Sequence, residues 1–481
     1  MNMKIGPRQK NRLHFIGIGG IGMSGIAEVF LNQGYHVTGS DIANSETVKK
    51  LSELGAKIYM GHSAEHVSQA QVVIISSAIS QSNPEVVQAK KLRIPVIPRA
   101  EMLGELMRGK LGIAVAGSHG KTTTTSMLAS ILVAGKIDPT IVIGGKVDSL
   151  GGHAQAGQGE VVVAEADESD GSFTHLPAQV GVVTNIDNDH LDFFGSQELI
   201  ERAFLDFIGK IPFYGFCVVC TEDPGVKACI NKMTKPILTY GFSENCDYFI
   251  KNLKLSGMGS EFHVIKRSTS EDHNKDLGTI KLFIPGKHNA LNAMAAIVVA
   301  DQMGVSFCDI QKGLMTLRGI KRRFEVIWQD HDRMVVDDYG HHPSEIEATL
   351  VAARSFWPGK IKVVFQPHRY SRTKNCFNDF SKAFQLADEL YITDVYSAGE
   401  EPIEGFDSKS LVDTIIKENK RINKIMHLDD NVIVSEFISN EFQSNDLIIC
   451  MGAGTITQLP QNILQRINLK NKNTSQVNVN I

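Results

Sequence analysis

The chain has 481 residues, which is too long for one hydrophobic core and predicts about three domains at roughly 150 residues each. A hydrophobic content of 42% with 21% charged residues is that of an ordinary soluble globular protein, not of a membrane or disordered chain. The formal net charge of -4 gives no electrostatic reason to expect nucleic acid as a partner.

The apolar segments and the cysteines of the chain indicate its cellular compartment. The longest apolar runs are strand-sized, well short of the roughly 20 residues of a membrane helix, and no export signal opens the chain. The seven scattered cysteines indicate reduced thiols in a cytosolic protein. Cys217 and Cys220 form a CxxC inside the apolar stretch GFCVVC. Because no second pair stands at zinc-finger spacing, we predict buried strand residues there, not a metal or redox site.

Three rounds of alternating strands and helices follow one another along the chain. The first hundred residues alternate apolar strands such as LHFIGIG, HVTGSD and VVIISSAI with helical segments. A second round begins at GIAVAG and runs through EVVVAEADE and VGVVTNID, and a third contains KIKVVFQPH, ELYITDVY and DLIICMGAG. This rhythm predicts three α/β domains built on parallel, doubly wound sheets, with joints near residues 108 and 320. The polar residues 468–481 are predicted to be a disordered tail.

The first motif is GIGGIG, which contains Gly17, Gly19 and Gly22 in a GxGxxG after a strand, with Asp41 closing the next strand. Glycines there permit a tight turn and let a pyrophosphate approach the helix N-terminus. On this motif alone a nicotinamide-dependent dehydrogenase remains open. A uridine diphosphate carries the same pyrophosphate, and the rest of the chain places its distinctive residues around phosphate and magnesium.

The second motif, VAGSHGKTTTTSML at residues 115–128, has the layout of a phosphate-binding loop, but Val115 stands where the usual pattern has a glycine. Backbone N–H groups of residues 117–120 can wrap phosphates, Lys121 adds a charge at the β and γ groups, and Thr122 offers a hydroxyl to magnesium. The motif predicts nucleotide binding by Gly117, Ser118, His119, Gly120, Lys121, Thr122 and Thr123.

Acidic residues follow the next strands. Glu165, in EADESDGSF, stands at the carboxyl end of a strand beside that of the loop, where a further magnesium ligand is expected. A solvated acidic loop is the alternative interpretation. In TNIDNDHLDFFG, His190 is placed to bind a metal or orient a phosphate, although a lone histidine is more often structural.

In this order, GSHGKTTTT, EADESD, TNIDNDHLD, GKHNALNAMAA, RRFE, DDYGHHPSEI and QPHRYSRT closely resemble the Mur ligases of peptidoglycan synthesis. With HFIGIGGIGMSGIAEV, the resemblance covers about residues 12 to 460 and is strongest to the alanine-adding branch. The shorter GxxGKT loop is that family's pattern, which accounts for Val115.

The resemblance implies an ATP-dependent ligase that joins L-alanine to the lactyl carboxylate of UDP-N-acetylmuramate through an acyl phosphate, with Mg2+ as cofactor. It assigns residues 1–107 to a Rossmann-like domain that binds the UDP-sugar and residues 108–320 to a P-loop ATPase-like domain that binds ATP. Residues 321–467 become a Rossmann-like domain that binds the amino acid and closes.

The resemblance also assigns roles to residues. Lys121, His190 and Arg323 would be catalytic, with Thr122, Glu165 and His190 as metal ligands. The adenine end of ATP would contact His288, Asn289 and Asn292, the γ-phosphate would contact Arg323, and the ribose would contact Asp338. The alanine site would contain His342, Arg369 and Arg372, and the UDP-sugar site Gly17, Gly19, Gly20, Gly22 and Asp41.

The expected partners are these small molecules, with neither nucleic acid nor membrane, and the chain is expected to act in the cytoplasm as a monomer or weak homodimer. Three alternatives remain open. One is a sibling ligase that attaches a recycled peptide to UDP-N-acetylmuramate. The others are an NAD-dependent dehydrogenase with an appended ATPase domain and a non-catalytic, nucleotide-gated scaffold.

Overall fold

The computed structural model describes residues 12–76, 78–147, 152–268, 274–419, 421–429 and 431–467. The predicted tail at 468–481 lies outside these residues. Three β-sheets follow one another along the chain, with helices between their strands, which confirms the predicted three-part α/β fold.

The first sheet is formed by five strands, β1 (Arg12–Ile16), β2 (His36–Asp41), β3 (Lys57–Met60), β4 (Val72–Ile75) and β5 (Val96–Pro98). Its helices are α1 (Ile21–Asn32), α2 (Glu46–Glu53), α3 (Pro84–Lys91) and α4 (Arg99–Met107). All pairs are parallel, in the order β3-β2-β1-β4-β5. The order reverses at β1, so the glycine-rich turn after β1 lies at the crevice where doubly wound sheets bind ligands.

The central sheet is formed by β6 (Leu111–Ala116), β7 (Thr140–Val147), β8 (Gly152–Gln155), β9 (Val161–Glu165), β10 (Val180–Val183), β11 (Phe216–Cys220), β12 (Ile237–Gly241), β13 (Tyr248–Ser256), β14 (Gly259–Lys266) and β15 (Lys275–Leu282). Its helices are α5 (Lys121–Ala134), α6 (Leu191–Phe194), α7 (Gln197–Gly209), α8 (Pro224–Cys229), α9 (Lys287–Gln302) and α10 (Phe307–Thr316).

The strand order of the central sheet is β15-β14-β13-β12-β11-β10-β6-β9-β7-β8. Its middle is parallel, as predicted, but the β13–β14, β14–β15 and β7–β8 pairs at its two edges are antiparallel. Strands β13 and β14 are joined by two residues, which is too short for the crossover that a parallel pair requires. The sheet is therefore mixed.

The third sheet is formed by β16 (Glu325–Gln329), β17 (Met334–Asp338), β18 (Lys360–Phe365), β19 (Glu389–Ile392), β20 (Lys424–His427) and β21 (Asp446–Met451). Its helices are α11 (Pro343–Arg354), α12 (Tyr370–Asn375), α13 (Phe377–Ala383), α14 (Ser408–Glu418) and α15 (Asn431–Glu441). The order is β16-β17-β21-β18-β19-β20, and every pair except β16–β17 is parallel.

The hydrophobic core does not divide strictly by sheet. One cluster of buried side chains contains Phe15 of β1, Leu103 of α4 and Val162 of β9, so the first and central sheets share packing. Cys217 and Cys220 are buried in β11, as predicted. None of the described helices is long and apolar enough to cross a membrane. The domain limits near residues 107 and 320 fall in the segments that join the sheets, and they remain predictions.

Candidate active site

The loop between β6 and α5 has a shape that requires glycine. Gly117 and Gly120 have φ values of 134° and 80°, in the left-handed region that other residues rarely adopt. A Cβ on Gly120 would lie 2.6 Å from Oδ1 of Asn292. The first hydrogen bond into the helix is donated by Thr124 N to Gly120 O, so the N–H groups of the first turn are available to an anion.

Lys121 is held inside this loop by anionic and carbonyl oxygens. Its Nζ donates to Gly117 O at 2.7 Å, to Ser118 O at 3.1 Å and to Oε1 of Glu168 at 2.7 Å. Burial would lower the pKa of Lys121, but Glu168 and two neighbouring carboxylates outweigh it and the pKa is raised. The lysine therefore stays charged. Glu168 was not predicted from the sequence. Its carboxylate binds the lysine charge that faces a phosphate in nucleotide-bound loops.

Thr122 and Glu165 come together, as predicted from their positions at the ends of neighbouring strands. Strand β9 pairs with β6, with Glu165 opposite Val115. The hydroxyl of Thr122 donates to both carboxylate oxygens of Glu165, at 3.0 and 3.1 Å, and Gly144 N donates to Oε2 at 2.7 Å. A hydroxyl beside a carboxylate at the edge of a phosphate loop is an oxygen donor set that suits Mg2+.

His190 lies beside the same carboxylates. Its Nε2 is 3.7 Å from Oε1 of Glu168 and 3.6 Å from Oδ2 of Asp189. Burial lowers the pKa of His190, so its imidazole is neutral and able to ligate a metal or accept a proton. His190 has φ of 60°, and such strain in a non-glycine residue is typical of functional sites.

A cavity of about 1010 Å3 lies between the central and third sheets, a volume suited to a nucleotide. The predicted ATP residues that line it are His119, Gly120, Thr123, His288, Asn289, Asn292, Arg323 and Asp338. Burial and the nearby charge of Arg323 lower the pKa of His288 to about 4, so this imidazole is neutral. Asn289 and Asn292 are buried and hydrogen-bonded to each other at 3.2 Å.

Arg323 reaches this cavity from beyond the central sheet. Its NH1 is 3.3 Å from Oε1 of Glu345, and its guanidinium lies 5.1 Å from the ring centre of Tyr339. The neighbours Arg322 and Phe324 have φ of 59° and 49°, so the backbone on both sides of Arg323 is strained.

The carboxylate of Asp338 is buried and already engaged by backbone. It accepts from Phe324 N at 2.7 Å and from Gly340 N at 2.8 Å. Burial raises the pKa of Asp338 in spite of the nearby Arg323. Asp338 therefore also fixes the turns that position Arg323.

The three residues predicted for the alanine site do not share one environment. Arg372 is nearly buried, and its NH2 lies 3.2 Å from Oδ1 of Asp189. His342 is buried, with its ring centre 4.9 Å from that of His119. The side chain of Arg369 is 42% exposed, and its NH1 lies 3.9 Å from Glu400. The structure thus brings Arg372 and His342 to the carboxyl end of β10, whereas Arg369 lies at a more exposed position.

Asp187 and Glu345, both missed in the sequence, connect the central and third domains. Asp187 accepts from Ser344 Oγ at 2.6 Å, and its Oδ2 lies 3.0 Å from Nε2 of His119. Oε1 of Glu345 is 3.4 Å from Nδ1 of the same histidine. Burial would lower the pKa of His119, but Asp187 and Glu345 outweigh it and raise it to about 10.

A weak signal for Glu345 exists in the sequence. It stands at the third position of α11, where a glutamate commonly reaches back to N–H groups before the helix, and it accepts from His341 N at 3.1 Å. The acids of TNIDNDHLD could have been read together with His190 as a strand-end cluster. Their contacts with residues about 160 to 180 positions away carry no sequence signal.

The glycine-rich turn of the first domain is fixed by hydrogen bonds to Asp41. Oδ2 of Asp41 accepts from Gly19 N at 2.8 Å and Oδ1 accepts from Ala43 N at 2.9 Å. Gly20 N donates to Gly17 O at 3.1 Å, which tightens the turn.

Arg99, another residue missed in the sequence, packs against this glycine-rich segment. A Cβ on Gly22 would lie 2.9 Å from NH1 of Arg99, and NH2 of Arg99 is 3.1 Å from Oδ2 of Asp167. This arginine connects the first-domain turn with the acidic loop of the central domain.

Comparisons with known proteins agree with this architecture. Three Mur ligase models match in succession: the catalytic domain model over residues 12–111, the middle domain over 115–300 and the glutamate ligase domain over 322–454. The crystal structure of a UDP-N-acetylmuramate-alanine ligase from Thermotoga maritima superposes with a TM-score of 0.78 at 31% identity, covering 95% of this chain and 99% of the other. A murein peptide ligase from Psychrobacter arcticus, 24% identical with a TM-score of 0.71, shares the fold over 95% of this chain and 98% of its own.

Curated relatives match over nearly the whole chain. A protein named UDP-N-acetylmuramate--L-alanine ligase from Geotalea daltonii is 48% identical over 456 residues, 95% of this chain and 98% of its own length. One of the same name from Geobacter sp. strain M21 is 50% identical over 459 residues, 95% of this chain and 97% of its own length. The chain therefore belongs to the Mur ligase family.

Proposed function

We propose that this protein joins L-alanine to the lactyl carboxylate of UDP-N-acetylmuramate, with ATP converted to ADP and phosphate. The observation that carries the proposal is the cavity in which the phosphate loop of the central domain faces Arg323 of the third domain. The relatives that bear the name of this activity, at 48% and 50% identity, support the choice of substrates.

The chemistry requires activation, because a carboxylate is a poor electrophile and its oxygen a poor leaving group. Transfer of the γ-phosphoryl group to that carboxylate gives an acyl phosphate, which an amine can open. Lys121 on one side and Arg323 on the other would stabilise the charge on the transferring group. Both side chains are cationic. Arg323 lines the cavity, and Lys121 follows directly after the cavity-lining residues His119 and Gly120.

The residues around the phosphate loop fit magnesium. Thr122 and Glu165 offer adjacent oxygen donors, His190 offers a neutral imidazole, and Oε2 of Glu168 is buried without a hydrogen-bond partner among the described residues. Thr122, Glu165 and His190 would hold the Mg2+, which neutralises charge on the phosphates when bound.

A line of contacts leads from the phosphate loop to the proposed amino-acid site. Lys121 contacts Glu168 at 2.7 Å, and Glu168 is followed by His190 at 3.7 Å. Asp189 then lies 3.6 Å from His190 and 3.2 Å from Arg372. The guanidinium of Arg372 would exchange Asp189 for the alanine carboxylate, which places the amine near the acyl phosphate. His342 and Arg369 would form the rest of this site.

The first domain would bind the UDP-sugar at Gly17, Gly19, Gly20, Gly22 and Asp41. In dinucleotide enzymes the acid after the second strand binds a ribose hydroxyl. Here both oxygens of Asp41 accept backbone N–H groups of its own domain, at 2.8 and 2.9 Å. This arrangement favours a UDP-sugar over NAD, because the acid already has other partners.

We place the reaction in the cytoplasm, with small molecules as the only substrates and the protein as a monomer or weak homodimer. All seven cysteines are unpaired thiols, which is typical of a reducing compartment.

The direct test is ADP release with UDP-N-acetylmuramate and ATP, measured for each amino acid and for the recycled tripeptide. We expect L-alanine to give the highest kcat/KM. A higher value for the tripeptide would assign the protein to the sibling activity. ADP release that no amino acid stimulates would contradict the ligase proposal.

A further inference from the structure

A cluster of potential metal-ligating side chains lies outside the residues proposed to bind magnesium, at the boundary between the central and third domains. His119 of the phosphate loop, Asp187 after β10 and His342 before α11 offer ligand atoms that all lie within 4.8 Å of one another. His119 and Asp187 also line the large cavity, which gives an ion a path to the site.

The environment of His342 is a second, independent observation that points to a bound ligand. It is 2% exposed, and its Nδ1 accepts no hydrogen bond of normal geometry from the described residues. That atom faces Oδ2 of Asp187 at 3.7 Å. A buried nitrogen without a partner is costly unless something binds it.

We propose that His119, Asp187 and His342 form a site for a zinc-class divalent cation, which joins the two domains. Two imidazoles and one carboxylate are ligands that zinc prefers, whereas magnesium prefers oxygen donors. The ion takes the place of the proton that His119 shares with Asp187, and that proton is released to solvent.

The consequence concerns the movement of the domains. Two ligands belong to the central domain and one to the third, so the ion fixes their relative position across the nucleotide cavity. Zinc would then slow turnover because opening is needed for product release, a consequence that rests on the proposed function. Metal binding itself does not depend on any activity.

The test uses Co2+ as a spectroscopic probe on the full-length, nucleotide-free protein in excess Mg2+. We expect an intense visible band of imidazole-bound cobalt, displaced by Zn2+. His342→Asn should weaken zinc binding at least about 100-fold and remove the band. Asp187→Asn, which keeps the side-chain shape, should do the same and guards against a folding defect in the first variant.

Two controls separate this site from others. The Glu165→Gln substitution alters the proposed magnesium site, and this variant should retain the cobalt band. His427→Asn alters the group formed by the partly buried His427 and the exposed Asp394 and Asp429, which could also hold an ion. This variant should retain the band as well. Absence of the band in the unaltered protein would overturn the proposal. So would its persistence in His342→Asn and Asp187→Asn, or its loss in either control.

Discussion

Two glycine-rich turns follow the first strands of the first and central domains, and they differ in what surrounds them. The turn after β1 is closed by Asp41, whose carboxylate accepts two backbone N–H groups. The loop after β6 is flanked by carboxylates that engage its side chains: Lys121 forms an ion pair with Glu168, and the hydroxyl of Thr122 donates to Glu165. Both turns can approach a phosphate, but the second also has the charges and oxygen donors that phosphoryl transfer needs.

The difference shows that a glycine turn alone does not define a reaction. In the first domain the acid completes the turn, which suits binding without chemistry. In the central domain, carboxylates bind the cationic side chains that the phosphates of ATP would also bind. ATP and these carboxylates therefore compete for the same positive charges. Substitutions in the two turns should therefore have effects of very different size.

The largest effect is expected from Lys121→Ala. Removal of this charge should lower kcat at least about 1000-fold, because the transferring phosphoryl group loses its main cation in the central domain. Steady-state ADP release measures the effect, and circular dichroism checks the fold. Lys110→Ala is the matched control, because Lys110 lies at the opposite end of β6 and bonds to Gly159 O. Activity of Lys121→Ala within tenfold of the unaltered protein would contradict the assignment.

Glu165→Gln should have the next largest effect. Loss of one anionic donor beside Thr122 should raise the magnesium concentration for half-maximal activity about tenfold or more. The exposed Glu160, at the other end of β9, provides the control Glu160→Gln, for which an unaltered magnesium titration is expected. An unchanged titration for Glu165→Gln would remove this residue from the site.

His119→Asn tests the charge network through pH. The folded-state pKa of His119 is about 10, above its ordinary value of 6.5, so its contribution to stability is complete below pH 6.5 and is lost as pH rises through 10. The substitution should therefore cost more at pH 6, about 3 kcal/mol by urea unfolding, than at pH 10. The exposed His175 gives the control His175→Asn, with a change below about 0.5 kcal/mol. An equal cost of His119→Asn at both pH values would argue against the network.

Asp41→Asn, in the first turn, should have the smallest effect on the reaction. The amide keeps an oxygen for a backbone N–H, so we expect KM for UDP-N-acetylmuramate to rise tenfold at most, with kcat unchanged within about twofold. Calorimetry should show that the unaltered protein binds the UDP-sugar more tightly than NADH. A fall in kcat comparable with that of Lys121→Ala, or tighter binding of NADH, would remove the distinction between the turns.

The sequence predicted the parts of the site that follow from strand ends. Thr122 and Glu165 meet because parallel neighbours end at the same edge of a sheet, and that rule needs no tertiary detail. Glu168, Asp187 and Glu345 were missed because the direction of their carboxylates depends on groups far along the chain. Asp187, for example, bonds to Ser344, 157 residues away.

The antiparallel strand pairs at the edges of the central sheet were also not predicted from the sequence. An edge strand can pair in either direction, and its hydrophobic pattern does not decide between the two.

The central claim is that the carboxylate attacks the γ-phosphorus of ATP in the charged loop, and oxygen labelling tests it most directly. With heavy oxygen in the lactyl carboxylate of UDP-N-acetylmuramate, one labelled oxygen should pass to inorganic phosphate for each amide bond formed, as measured by mass spectrometry. An enzyme that adenylates its substrate would transfer that oxygen to AMP. Label in AMP, or in neither product, would contradict the mechanism even if the alanine adduct were formed.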